Sequence, residues 1–151
     1  MKVCVFIILC GLSLYQWNAE AMDSNLGLNS EKVLHFKKDD ISPARTNGTP
    51  LLETKKFRIL MSSHDTPGQS EIHLKDTDII YCFEGEAEFV TGGKAIDTKE
   101  TAPNELRGTS ISGGETRKIK GGDILIIPKG VPHWFKSIQS PFRYSVVKIP
   151  E

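Results

Sequence analysis

Cysteine is scarce in this sequence, and its scarcity excludes a common way of stabilising a small protein. The 151 residues contain three cysteines, and two of them, Cys4 and Cys10, lie in the apolar N-terminal segment. If that segment is removed, Cys82 remains alone and no disulfide can form within one mature chain. Because Cys82 lies in the apolar run DIIYCF, we expect a small buried hydrophobic residue instead of a reactive thiol. Stability must then come from a hydrophobic core.

An excess of charge of one sign is also missing. Lys plus Arg and Asp plus Glu each number 19, so the formal net charge is zero. Without an overall positive field, binding to nucleic acid or to an anionic membrane surface is not expected. The composition, with 38% hydrophobic and 25% charged residues, is ordinary for a soluble globular protein. The length suits a single domain.

The sequence has no hydrophobic run long enough to span a bilayer. The N-terminal run VCVFIILCGLSLY has 13 residues, whereas a spanning helix needs about 20. Lys2 precedes this run and the small-x-small triplet Ala19, Glu20, Ala21 follows it, which is typical of a secretory signal peptide. We therefore predict a signal peptide over residues 1–21, cleaved near Ala21, and a secreted or periplasmic mature protein without a membrane span.

A sustained 3.6-residue hydrophobic periodicity is absent, which argues against helices. Residues 22–50 are polar and are predicted to form an N-terminal arm, which could exchange with a partner subunit in a homodimer. Beyond Leu51, short apolar runs such as KFRILMS, EIHL and DILIIP alternate with turn residues. This pattern predicts an all-β sandwich or barrel of eight to ten strands over residues 51–151.

A long polar insert, KAIDTKETAPNELRGTSISG, interrupts this pattern between Gly92 and Gly114. A structureless segment of that length in a compact domain is either functional or flexible. Its stretch ELRGTSI could add a strand at the far end. Arg107 in this stretch could hold an acidic substrate, although a solvated arginine is the default.

Two acids and a histidine precede the apolar run DIIYCF. Because side chains alternate between the faces of a strand, Glu71 and His73 must point to the same side. If KDT is the bend of a hairpin, the strand that begins at Asp78 returns beside EIHL and directs its carboxylate to the same place. A divalent cation would offset the cost of burying this cluster. The alternative is that both acids face solvent and a backbone carbonyl satisfies His73.

A second stretch, GGDILIIPKGVPHWF, has an unusual spacing. Gly122 is followed by five residues, Pro128, one residue, Gly130, two residues and His133. Chance would supply this spacing in roughly one of a thousand chains of this size. It predicts a β-hairpin in which DILIIP ends at Pro128, Gly130 allows a tight bend and His133 begins the next strand.

Together the two stretches resemble the signatures of the cupin family of small β-barrels. The first family signature reads, in outline, HxHxxxxE followed by six residues and Gly. The corresponding residues here are Glu71, His73, Asp78 and Gly85. Glu replaces the usual first His and Asp the usual Glu, whereas His73 and the whole second stretch are kept. The resemblance covers about three quarters of the mature chain and implies a single-domain antiparallel jelly-roll β-barrel.

The resemblance also implies a divalent metal held by Glu71, His73, Asp78 and His133, because both exchanges replace one ligand type by another. Two imidazoles with carboxylates resemble the facial set that holds Fe(II). Zn and Ni would also accept such ligands, but the extra carboxylate slightly favours Fe(II) or Mn(II). His64 lies in polar surroundings and is expected to be exposed.

Cupins differ widely in function, so the resemblance does not fix a reaction. One hypothesis is an enzyme of the dioxygenase, isomerase or lyase type, in which the metal acts on a small polar substrate and the polar insert forms part of the rim. The second is a non-catalytic extracytoplasmic module that binds a small ligand or sugar, because no nucleophile with an adjacent base is visible. The third is a structural or interaction protein with a degenerate site.

Overall fold

The computed structural model describes residues 33–41 and 47–151. Apart from a single 3-10 turn at Lys38–Ile41, far too short to cross a bilayer, the regular structure in these residues is β-strand. The predicted signal peptide and much of the predicted arm lie outside the described residues. Cleavage near Ala21, export and a homodimer therefore stay predictions.

Eleven strands follow one another in the described part of the chain, and their pairings are antiparallel. They are β1 (Asn47–Glu53), β2 (Arg58–His64), β3 (Ser70–His73), β4 (Asp76–Thr91), β5 (Lys94–Ile96), β6 (Lys99–Ala102), β7 (Glu105–Gly108), β8 (Ser110–Ser112), β9 (Glu115–Lys120), β10 (Ile124–Ile127) and β11 (His133–Pro150). The predicted all-β class is confirmed, and β1 begins inside the segment predicted to be an arm.

Two long strands, β4 and β11, organise the sheet. They pair with each other along almost their whole length, from His133 opposite Thr91 to Pro150 opposite Asp76. β11 also pairs with β2 and β3, while the two halves of β4 pair with β9 and β10. Because each long strand pairs with several neighbouring strands, the sheet curls into a jelly-roll barrel.

A bulge at Gly85 redirects β4. Before it, Cys82 faces the core; after it, Ala87 and Phe89 do, so the buried positions change from even to odd numbers. Gly85 has a φ of 84°, and a side chain there would collide with the backbone oxygen of Pro141. This position therefore requires glycine, which accounts for the glycine of the first signature.

A hydrophobic core centred on aromatic rings fills the barrel. The ring centroid of Phe135 lies 4.7 Å from that of Phe89, 5.3 Å from Phe142 and 5.1 Å from Tyr144. Cys82 is fully buried beside them, and burial raises the pKa of its thiol to about 11. The prediction of a small buried hydrophobic residue is confirmed, because such a thiol stays protonated at neutral pH.

Two predicted hairpins are wrong in their pairing, although their strands are present. β3 pairs with β7 and β11, so the strand that carries Asp78 does not return beside the one that carries Glu71. β10 pairs with β4 and not with β11. Consecutive strands are neighbours only about two-thirds of the time. Turn residues in a sequence therefore mark the end of a strand without identifying its partner.

The polar insert contains four short strands instead of a structureless loop. β5 and β8 form a small separate sheet, and β6 and β7 extend the main sheet beside β3. These strands bury few side chains, so they lack the hydrophobic alternation by which strands are recognised. The extension matters for the site, because β7 carries Glu105 and Arg107 next to β3.

Candidate metal centre

Two strands, β3 and β11, bring three of the predicted ligands together. Glu71 and His73 share one face of β3, as alternation predicts, and Oε2 of Glu71 lies 3.4 Å from Nε2 of His73. His133, the first residue of β11, pairs with Glu71 in register. Its Nε2 lies 4.0 Å from the same carboxylate oxygen. The ligand atoms of the three residues lie within 4.8 Å of one another.

The turn between β10 and β11 connects the two signature stretches and orients His133. The backbone N–H of Gly130 donates to the carbonyl oxygen of His73 at 2.7 Å. Nδ1 of His133 lies 3.0 Å from the carbonyl oxygen of Val131, and a carbonyl can only accept, so Nδ1 carries the hydrogen. Burial lowers the pKa of His133, which favours the neutral ring. Its Nε2 then presents a lone pair towards Glu71, as a metal ligand requires.

Arg107 fixes the orientation and charge of Glu71. Its Nη1 lies 3.0 Å from Oε1 of Glu71, whereas the other oxygen, Oε2, faces the two imidazoles. Burial alone would raise the pKa of Glu71, but the hydrogen bond with His73 and the charge of Arg107 outweigh it, and the pKa falls to about 2. The carboxylate is therefore ionised at neutral pH and directs one oxygen into the cluster.

Glu105 lies at the far nitrogen of His73. β7 pairs with β3 so that Glu105 stands opposite His73 and Arg107 opposite Glu71. Oε2 of Glu105 is 4.0 Å from Nδ1 of His73, and its Oε1 accepts a hydrogen bond from Nε of Arg107 at 2.7 Å. The 4.0 Å separation is too long for a hydrogen bond, so the bonded partner of Glu105 is Arg107, and its carboxylate adds negative charge beside His73.

Asp78, the fourth predicted ligand, lies beside this group but already has a partner. Its Oδ2 is 3.4 Å from Nε2 of His73. Nζ of Lys148 donates to both of its oxygens, at 2.9 and 2.8 Å. The two residues face each other in register across β4 and β11, and both are buried. The converging group thus contains three of the four predicted residues, and an ammonium holds the fourth next to it.

A cavity of about 530 Å³ opens onto the cluster. His64 lines it and is half-buried, so the prediction of an exposed histidine is wrong. Its Nε2 lies 3.0 Å from the hydroxyl of Tyr144, the two rings are stacked, and burial lowers the pKa of His64. The rest of the wall includes Arg58, Leu60, Ser62, Ser63, Ile80, Glu105, Arg107, Val146 and Lys148.

Sequence reasoning missed several residues of this cavity, and one of them had a usable signal. Tyr144, Val146 and Lys148 alternate onto one face of β11, and that face is buried. A lysine at a buried strand position is rare unless it is paired, so Lys148 could have indicated an internal carboxylate partner. Glu105 had no comparable signal, because its strand was not recognisable.

The donor set fits a divalent cation. A cation about 2.1 Å from each ligand atom needs those atoms no more than about 4.2 Å apart. The separations of 3.4 and 4.0 Å from Oε2 of Glu71 meet this condition. The ligand atoms of the set all lie within 4.8 Å of one another, so the widest pair would have to approach by no more than about 0.6 Å. Two imidazoles and an ionised carboxylate are also the ligand types that divalent transition metals accept.

Comparison of the sequence with models of protein families identifies the family. A family model described as Cupin matches residues 29–150. The chain belongs to the cupin family. The resemblance of the two stretches is confirmed, and the converging side chains of this cupin come from both of them. No curated protein matches the chain in sequence.

Solved structures show that other cupin-like chains share this fold. A protein with a double-stranded β-helix domain from Klebsiella pneumoniae is 22% identical, with 79% of this chain and 91% of that chain covered and a TM-score of 0.53. A protein from Bacillus halodurans is 13% identical, with coverages of 82% and 85% and a TM-score of 0.58. A protein from Rhizobium leguminosarum is 18% identical, with coverages of 80% and 99% and a TM-score of 0.54. These similarities establish the fold, and the site must supply the function.

Proposed function

We propose that this cupin holds one divalent metal on Glu71, His73 and His133 and binds a small polar molecule against it. The observation that carries the proposal is that the two oxygens of the Glu71 carboxylate have different partners. One oxygen is held by Arg107, and the other faces two imidazole nitrogens at 3.4 and 4.0 Å. The cavity beside these atoms has room for a ligand of several heavy atoms.

Fe(II) or Mn(II) is favoured over Zn or Ni as the metal. Two histidines and one carboxylate with open positions form the facial set that non-haem Fe(II) centres use. The carboxylate of Glu71 supplies the oxygen ligand that suits these harder metals. When bound, the metal would supply a Lewis-acid or oxygen-binding centre.

The charge of the cavity favours an anionic ligand. Three carboxylates, those of Glu71, Asp78 and Glu105, line it together with three cations, those of Arg58, Arg107 and Lys148. Arg58 is paired at 2.6 Å with Asp76, which does not line the cavity, and this pair is counted as neutral. One negative formal charge therefore remains, which attracts a divalent cation, and the loaded cavity then carries one positive charge. We propose a small carboxylate-bearing molecule as the ligand class.

His64 and Tyr144 are the side chains best placed to move a proton in an enzymatic reaction. They share a hydrogen bond on the cavity wall. Since burial lowers the pKa of His64, its ring is neutral at pH 7 and can accept a proton. Catalysis by this cupin would use this pair, because the acids Glu71 and Asp78 are held by Arg107 and Lys148.

The pairing of these acids also favours the second candidate function, a non-catalytic module that binds a small ligand. Glu71 and Asp78 each bond a cation of the same chain, so neither stands ready as a general base. If a molecule binds and mass spectrometry detects no product from it, the protein is the binding module. A product that disappears when the metal is removed identifies the enzyme.

Ligand binding can be tested with malonate and with malonamide, its neutral counterpart of similar shape. With Mn(II) present, malonate at about 100 times its Kd is expected to raise the unfolding temperature by about 5–10 °C, because it binds only the folded state. Malonamide should have little effect, since it lacks the charge that the loaded cavity attracts. Equal shifts from both compounds, or a malonate shift that survives chelation of the metal, would count against a metal-assisted anion site.

A further inference from the structure

A lysine is buried inside the cavity next to the proposed metal ligands. Lys148 is 9% exposed and Asp78, its partner, is 3% exposed. Removing two such charges from water costs several kcal/mol per ion, which a single pair often fails to recover. Hydrophobic residues at these inward positions of the barrel would avoid this desolvation cost, so the presence of the pair needs a specific explanation.

The position of Asp78 relative to His73 suggests that explanation. Oδ2 of Asp78 and Oε2 of Glu71 are both 3.4 Å from Nε2 of His73. Asp78 is therefore as close to this imidazole as Glu71 is. The two carboxylates differ in the cations that hold them. Arg107 contacts one oxygen of Glu71, whereas Lys148 bonds both oxygens of Asp78.

We propose that Lys148 is an internal competitor of the metal for Asp78. This inference rests on the metal centre proposed above. The ammonium keeps Asp78 out of the coordination sphere, so three protein side chains hold the cation and more positions stay open for a ligand. The same contact lowers the affinity for the cation, because a carboxylate that would otherwise bind it is already neutralised.

Replacing Lys148 by methionine should release Asp78 to the metal. Methionine has a similar length and fits a buried position, but it leaves Asp78 without its cation. We expect Lys148→Met to bind Mn(II) about tenfold more tightly than the wild type, or better, because affinity follows the charge and number of ligands. Its folding should also become dependent on metal, because a divalent cation would replace the positive charge that Lys148 supplied to the buried carboxylate.

The double variant Asp78→Asn with Lys148→Met is the matched control. It lacks both charges, so the net charge of this pair equals that of the wild type, and its amide is a poor substitute for a carboxylate ligand. We expect its Mn(II) affinity to return to the wild-type range. Visible spectra of Co(II) bound to each full-length protein report coordination directly. The spectrum of the single variant should differ from that of the wild type. The spectrum of the double variant should match that of the wild type.

Each outcome separates this inference from the metal centre itself. If the wild type binds Mn(II) but Lys148→Met binds it no more tightly, or if the Co(II) spectra are all alike, the competition by Lys148 is refuted and the metal centre stands. If neither protein binds Mn(II), both proposals fail. If Lys148→Met folds poorly, unfolding is compared in chelator and in Mn(II): recovery by the metal supports the inference, and equal instability in both overturns it.

Discussion

The H133A variant is expected to bind no Mn(II) at concentrations that saturate the wild-type protein. Even partners of metal ligands change affinity by 10–100-fold when they are removed, so losing a ligand should lower it by about 100-fold or more. His133 supplies one of only two imidazoles in the cluster. Its Nε2 is fixed towards Glu71 by the hydrogen bond from Nδ1 to the carbonyl oxygen of Val131.

Elemental analysis after equilibrium dialysis measures this loss, and two further variants control for damage to the fold. Asparagine at position 133 can still donate to Val131 but offers no imidazole, so His133→Asn should fold normally and lose the metal. His35 is exposed and does not line the cavity, so His35→Ala should keep its full metal content. Stoichiometric metal in folded His133→Asn would show that this residue is not a ligand.

The F142A variant is expected to lose about 3–5 kcal/mol of stability, a typical cost for truncating a buried phenylalanine. Phe142 has no exposed surface, and its ring contacts those of Phe135 and Tyr144 at centroid distances of 5.3 and 5.6 Å. The cavity left by the ring cannot be filled by neighbours that β4 and β11 hold in register. A domain with a total stability of about 5–15 kcal/mol would come close to unfolding.

Urea unfolding measures this loss of stability. Phe83→Ala is the matched control, because it removes the same side chain from an exposed position. Phe83 is 45% exposed on the outside of β4, where its ring meets that of Tyr81 edge to face at a centroid distance of 5.0 Å. Its truncation should cost about 1 kcal/mol or less, since surface changes are usually small. Similar losses in the two variants would mean that the barrel core is not where the structure places it.

Strand alternation and signature spacing predicted much of the site. The shared face of Glu71 and His73 follows from the two-residue period of a strand, which depends on no distant part of the chain. The start of β11 at His133 follows from the proline and glycine that precede it. The two-residue period also predicted the inward direction of Asp78, because its position has the same parity as Ile80 and Cys82.

Contacts that depend on strand register could not be predicted in the same way. The pairing of Asp78 with Lys148 joins residues 70 positions apart, and it exists because β11 lies beside β4 in one particular register. Glu105 and Arg107 reach the site on a strand with no buried alternation. Local patterns specify the direction of a side chain, whereas its partner depends on how the strands are arranged in the barrel.

Anomalous diffraction from crystals soaked in Mn(II) tests the metal centre most directly. One strong peak is expected between Oε2 of Glu71, Nε2 of His73 and Nε2 of His133, at bond lengths of about 2.0–2.3 Å. A map with no peak between these three atoms, or with manganese bound only elsewhere on the protein, would contradict the proposed metal site.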